Sequence, residues 1–183
     1  MNPIQSFTSA LEKNLHSSSL FFKLYSLPYT KVVEREIRLA DITSDDTVLN
    51  VGCGSLPFTS VKLAEMTGAK IYALDIDEKA ISAAQSLVDT LNLEETIDFI
   101  VADGTDTISI DFDKAVVALQ VRPQDKTVKN LFSCSDNDVS VIVRIPREKF
   151  RNTYGPIPDL NKAEKSVKHH MLTFDRSILL KDG

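Results

Sequence analysis

Val48-Leu49-Asn50-Val51-Gly52-Cys53-Gly54-Ser55-Leu56-Pro57-Phe58-Thr59-Ser60 carries an apolar run directly into Gly-x-Gly and then into helical spacing. Glycines at such a point let the backbone turn tightly and let a ligand approach where a Cβ would clash. The helix that follows presents unpaired N–H groups and the positive end of its dipole. A strand, a glycine turn and a helix in that order predict a cradle for a nucleotide-like ligand at the carboxyl edge of a parallel sheet.

Outward from this turn the pattern repeats. TVLNV, KIYALDI, IDFIVA, KAVVALQV and VSVIVRI read as five strands, and PFTSVKLAEMTG, EKAISAAQSLVDTLN and PQDKTVKNLFSCS between them carry helical periodicity. Strand and helix in alternation predict right-handed crossovers and a parallel sheet covered on both faces. The expected class is α/β, a doubly wound, mostly parallel Rossmann-like sheet. Residues 1–45 read as an N-terminal helical cover, FTSALEKNL and TKVVEREIRLADI, split by Pro28. The apolar and aromatic stretch from Leu20 to Tyr29 between them is expected to pack over something. Residues 46–145 form the βαβ core. Residues 146–183 give a polar, proline-containing loop and a β-hairpin turning near Thr173 to Arg176. At 183 residues the chain fits one domain.

Composition narrows the function. Hydrophobic residues make up 43% and charged residues 26%, and no apolar run reaches the length of a membrane span. No secretory signal is read at the N-terminus, so the expected compartment is the cytoplasm. The net charge of −5 is spread without a basic stripe, which disfavours nucleic acid as a partner and leaves a small-molecule acceptor, with self-association open. Two cysteines, Cys53 and Cys134, and three histidines lack metal-ligand spacing, so neither a disulfide nor a metal is expected.

Several residues are candidates for the site. Asp75 ends the second strand about twenty residues after Gly54 and is placed to accept from the hydroxyls of a ribose. Asp103, before Gly104, follows the third strand; it either accepts from an adenine amine, with Ile76 packing on the base, or caps a local turn. Cys53 reads as packing beneath a ligand. Tyr29 is a candidate to cover the site or to staple the N-terminal helices to the sheet. Arg144, ending the fifth strand, is a candidate to hold a substrate carboxylate or phosphate, or else lies in solvent. His169 and His170 are expected on opposite faces of a strand, at the surface.

Together the glycine turn, Asp75 and Asp103 resemble the class I S-adenosylmethionine-dependent methyltransferases across roughly residues 46–145. The resemblance implies S-adenosylmethionine as cofactor. It places Gly52 and Gly54 beside the methionine arm, with Asn50 toward the cofactor amino group, and counts Cys53, Gly104 and Leu119 among the cofactor-binding residues. Asp75 falls on the ribose, and Asp103 on the adenine, with Ile76 against the base. Asn50 stands where the family commonly has an acid. Pro57 occupies the third glycine position of a dinucleotide fingerprint, which disfavours a dehydrogenase. The run Gly54-Ser55-Leu56-Pro57-Phe58-Thr59-Ser60, with Pro28-Tyr29 upstream, is similar to nicotianamine synthases, which transfer the aminocarboxypropyl arm of the same cofactor. Three functions follow as expectations: methyl transfer to a small molecule, aminocarboxypropyl transfer, and binding without turnover.

Overall fold

In the computed structural model, which describes residues 18–135 and 138–182, the strands form one sheet ordered β3-β2-β1-β4-β5-β7-β6. Helix α1 (Ser18–Ala40) leads into β1 (Thr47–Val51), α2 (Phe58–Thr67), β2 (Lys70–Asp75), α3 (Glu78–Thr90), β3 (Ile97–Val101), β4 (Lys114–Val117), α4 (Gln124–Ser133) and β5 (Ser140–Pro146). The short helix α5 (Arg151–Tyr154) and the antiparallel pair β6 (Lys165–Lys168) and β7 (Phe174–Lys181) complete the chain. Strands β1 to β5 are mutually parallel, and β7 returns antiparallel beside β5. The α/β, Rossmann-like class follows as the sequence predicts.

Alternation along each strand assigns the two faces. Val48, Ile71, Val116, Ile142 and Leu179 pack with Val33, Leu39, Val61, Leu63 and Ile81, so α1, α2 and α3 cover one face. Leu49, Val117, Val141, Val143 and Ile178 pack with Val128 and Leu131 of α4 on the other. Burial on both faces explains why β5 is buried along its whole length.

Three local expectations are corrected. Pro28 does not split the cover, because α1 continues through it from Ser18 to Ala40. A proline inside a helix forfeits one hydrogen bond and costs about 3 kcal/mol. That local cost is outweighed here by the docking of the turns that follow, where Val32, Val33, Glu36, Leu39 and Ala40 are all buried. The segment FTSALEKNL lies outside the described residues. Strand β4 stops at Val117, short of the predicted Val121, because the chain turns there with Val121 N–H donating to the Ala118 carbonyl. The hairpin forms, but its turn spans residues 169–173, ahead of the predicted position.

Since α1 hands over to β1 at the amino edge of the sheet, its N-terminal half must rise toward the carboxyl edge. Tyr29 stands about 16 Å above Ala40 at the helical rise, level with the glycine turn. The β6–β7 turn reaches the same edge, because Phe174 is paired with Pro146 at the end of β5. The fold therefore brings four segments distant in sequence to one edge.

Asp77 caps α3, its carboxylate accepting from the Lys79 N–H at 2.9 Å. Asp77→Ala is expected to lower stability by about 1 kcal/mol, seen as a smaller midpoint in urea with an unchanged slope.

Candidate functional site

The glycine turn is shaped by its neighbours. Gly52 and Gly54 both lie at positive φ, 81° and 65°. A Cβ on Gly52 would come within 2.6 Å of Val121 Cγ2, so the loop after β4 occupies the space that a side chain would need. A Cβ on Gly54 would meet nothing within 4 Å, which leaves that side of the turn open for a ligand. The Gly52 and Cys53 N–H groups donate to the Leu74 carbonyl, and the Gly54 N–H donates to Asp75 Oδ2 at 2.8 Å. Asp75 Oδ1 accepts from the Asp77 N–H, so the carboxylate ties the glycine turn to the end of β2. Each oxygen retains lone-pair capacity for a hydroxyl donor.

Beside Asp75 the edge turns apolar and open. Ile76 is 68% exposed and Val101, paired with Asp75 in the β2–β3 ladder, is 50% exposed. Two bare branched side chains at a sheet edge suit the face of a planar base. Asp103 does cap a turn, its Oδ1 accepting from the Thr105 N–H and hydroxyl at 2.9 Å, while Oδ2 makes no hydrogen bond among the described residues. The capping reading of Asp103 is thus observed, and its Oδ2 is left with capacity to accept from a ligand.

Other candidates take structural places. Gly104 is buried where a Cβ would meet Val51 Cγ1 at 2.8 Å and Thr127 Cγ2 at 3.0 Å, so it is small because β1 and α4 close over it. Leu119 is packed under α1 with Val32, Tyr154 and Phe174 and offers almost no surface to a ligand. Cys53 is buried, and burial, then the Asp75 charge, pushes its thiol up to about 12, which makes it inert and fits the packing role. Asn50 lies between β1 and α2, its Nδ2 donating to Ser60 Oγ at 2.8 Å while Oδ1 is buried without a donor.

Arg144 departs from both of its expected places, since it neither lies in solvent nor stands free to hold a substrate anion. Its Nε and Nη2 donate to both oxygens of Glu36 at 2.9 and 2.7 Å, with Glu36 fully buried and Arg144 nearly so. Burial alone would depress the guanidinium, but the Glu36 charge and hydrogen bonds outweigh it and hold Arg144 above its ordinary value. His169 is corrected too: it is buried, not at the surface, whereas His170 is exposed. Ser177 Oγ donates to Glu36 Oε1 at 2.6 Å, and His169 Nε2 lies 2.9 Å from that hydroxyl. With the serine proton committed to the carboxylate, Nε2 carries the imidazole proton and Nδ1 is a buried lone pair without a donor. Glu36 and Ser177 had no signature in sequence beyond a charge and a hydroxyl at positions that periodicity assigns to the inward face.

Tyr29 stacks on Phe58, the first residue of α2, with centroids 5.7 Å apart and planes 19° from parallel. It thus stands at the rim of the glycine turn. Beyond it the edge carries Arg122, stacked on Tyr154 at 5.2 Å, then Arg147, whose Nε donates to the Met171 carbonyl, and Arg151, whose Nε is buried without an acceptor.

Residues 48–136 match the family model described as a methyltransferase domain. Over those residues, just under half of the chain, the sequence is similar to that domain, and the fold is that of the class I S-adenosylmethionine-dependent methyltransferases. Its more particular likenesses are to an L-histidine 2-aminobutanoyltransferase of Yersinia pestis, 36% identical over 76 residues, 42% of this chain and 29% of the relative. A protein of the same name from Pseudomonas aeruginosa is 37% identical over 67 residues, 37% of this chain and 26% of the relative. The chain matches under a third of the length of these curated relatives. Among solved structures, a point mutant of MtNAS in complex with S-adenosylmethionine has a TM-score of 0.80 at 19% identity, covering 96% of this chain and 72% of that one. A SAM-dependent methyltransferase from Aquifex aeolicus has a TM-score of 0.63 at 18% identity, covering 81% and 89%. The superfamily's cofactor is S-adenosylmethionine, and the open side of Gly54, the orphaned Asn50 Oδ1 and the bare Ile76 and Val101 fit it.

Asp75→Ala is expected to weaken S-adenosylmethionine binding by about tenfold to a hundredfold, the usual worth of hydrogen bonds to a charged acceptor, read by titration calorimetry. A second expectation concerns pH. Burial, then the surrounding charges, in which Arg144 and Arg35 oppose Glu36 and Asp175, lowers His169 below the ordinary imidazole value of 6.5. The unfolded chain then binds a proton that the folded one resists, so this contribution to stability is complete above pH 6.5 and is lost as pH falls through the folded value. Thermal melts between pH 8 and pH 5 should show the loss, and His169→Gln should flatten it.

Proposed function

We propose that this chain transfers the aminocarboxypropyl arm of S-adenosylmethionine to the amine of a small acceptor bearing a carboxylate, the amine attacking the carbon of that arm attached to sulfur and methylthioadenosine leaving. The observation that carries the reading is the cover: α1 rises past the carboxyl edge and sets Tyr29 beside the glycine turn, opposite the hairpin turn at 169–173. The likeness to MtNAS covers 96% of the chain and so takes in this cover, where the likeness to the Aquifex aeolicus methyltransferase covers 81%. The relatives named for aminobutanoyl transfer to L-histidine point the same way.

S-adenosylmethionine supplies a sulfonium whose three attached carbons are all electrophilic, with a neutral thioether as leaving group. Which carbon reacts is decided by where the protein holds the acceptor, since in-line placement contributes most of the rate in such a displacement. On this reading Asp75, held in place by the Gly54 N–H, takes the ribose, and Asp103 with Ile76 and Val101 the base. Asn50 Oδ1 is the acceptor available to the ammonium of the methionine arm. Arg122, Arg147 and Arg151 put positive charge on the far side of Tyr29, and the unpaired Nε of Arg151 calls for an anionic partner. A carboxylate there orients the acceptor amine toward Tyr29, whose hydroxyl can receive its hydrogen bond.

The match to a methyltransferase domain favours methyl transfer as the second reading. Incubation with S-adenosylmethionine and a panel of amino acids, histidine included, separates the two by product. Methylthioadenosine is the expected product, and S-adenosylhomocysteine in its place would move the assignment to methyl transfer. Binding of the cofactor with neither product across the panel would make the chain a binding module.

A further inference from the structure

Tyr29, Val33, Glu36 and Ala40 follow one another at intervals of four, three and four, so they share the face of α1 turned to the sheet. Two of them make contacts that a small rotation would break. The ring of Tyr29 lies against Phe58, and two turns later the wholly buried carboxylate of Glu36 receives three hydrogen bonds, two from Arg144 and one from Ser177. Arg144 links the two levels. Its guanidinium carbon stands 5.9 Å from the Tyr29 ring centre and 5.8 Å from that of Phe174. Ser177 is the residue opposite Arg144 in the β5–β7 ladder, and His169 at the hairpin turn completes the chain of contacts.

Replacing a buried ion pair by apolar residues of similar size is often neutral or favourable for stability, so the pair is a poor stabiliser. Its distinctive property is that it tolerates one arrangement only. Any turn of α1 about its axis strands a carboxylate among Val33, Ile142 and Leu179, and any slide along the axis breaks the fork to Arg144. We infer that Glu36 and Arg144 are positioning residues. They lock the rotation and height of α1 so that Tyr29 and the helical turns ahead of it form a wall of the cofactor pocket. The inference rests on the reading of the glycine turn as the S-adenosylmethionine site.

The test is the double variant Glu36→Leu/Arg144→Met, which removes both charges together and leaves none unpaired. Its folding is followed by circular dichroism, the Tyr29–Phe58 ring contact by nuclear Overhauser effects without ligand, and S-adenosylmethionine affinity by calorimetry. The expected result is a folded protein that has lost the ring contact and binds the cofactor about tenfold more weakly or worse, the scale on which small misplacements act. In that background Tyr29→Ala should cost nothing further, although it weakens binding in the native protein. A retained ring contact, native affinity, or an undiminished effect of Tyr29→Ala would overturn the inference. Ser177→Ala, which trims one hydroxyl, serves if the double variant does not fold; it should shift affinity in the same direction, and an unchanged ring contact and affinity in it would overturn the inference equally. Failure of the native protein to bind S-adenosylmethionine, with the ring contact present, would overturn the site reading and leave the lock standing.

Discussion

The pair formed by Glu36 and Arg144 is the constraint on which the arrangement of this molecule turns. One partner comes from the first helix and the other from the last parallel strand, and Ser177 adds the returning antiparallel strand. A charge pair this deep persists only if the carboxylate is well supplied with donors, because one that lost a donor would carry much of the desolvation cost. The bidentate fork and the serine hydroxyl meet that demand, and the imidazole behind them holds the hydroxyl. The same geometry explains why Arg144 cannot also serve as a free clamp for a substrate anion.

The sheet supplies the other half of the site by topology alone. Strand order reverses between β1 and β4, which opens a crevice at the carboxyl edge, and the glycine turn lies at its mouth. Asp75 serves two ends there, since the oxygen that receives the Gly54 N–H is at the tip of the neighbouring strand. The turn is thus organised before a ligand arrives, and binding need not order it. On the opposite side of the edge, arginines from the β4 loop and from the segment after β5 gather around Tyr154 and the hairpin turn. One side of the edge is thus built on acids and glycines and the other on cations and aromatics. In the proposed reaction such a division would hold an anionic acceptor at a distance from the carboxylates assigned to the ribose.

Much of this was legible in the sequence, because it depends on neighbours along the chain. The alternation of strand and helix, the turn at Gly52–Gly54, the acid at Asp75 and the hairpin all follow from local periodicity and backbone sterics, and the structure keeps them. Asp103 took its capping reading for a local reason as well, one oxygen accepting from Thr105 two residues on. What misled was local inference about long-range matters. Pro28 carries a helix-breaking signal that the docking of α1 overrides, and His169 carries a surface signal that the closing of β6 and β7 over Glu36 reverses.

By itself, then, the sequence determined the α/β class, the glycine turn, the acid at the end of β2 and the absence of a third glycine, since each is set by residues within a strand or a turn of one another. Only the tertiary structure decided that Glu36, Arg144, Ser177 and His169 form one buried chain and that Tyr29 meets Phe58. The physical reason is that periodicity reports which face a residue turns inward, whereas the identity of its partner depends on strand order and on the height at which α1 crosses the sheet. Those are fixed by packing between segments more than a hundred residues apart, as the separation of Glu36 from Arg144 and Ser177 records.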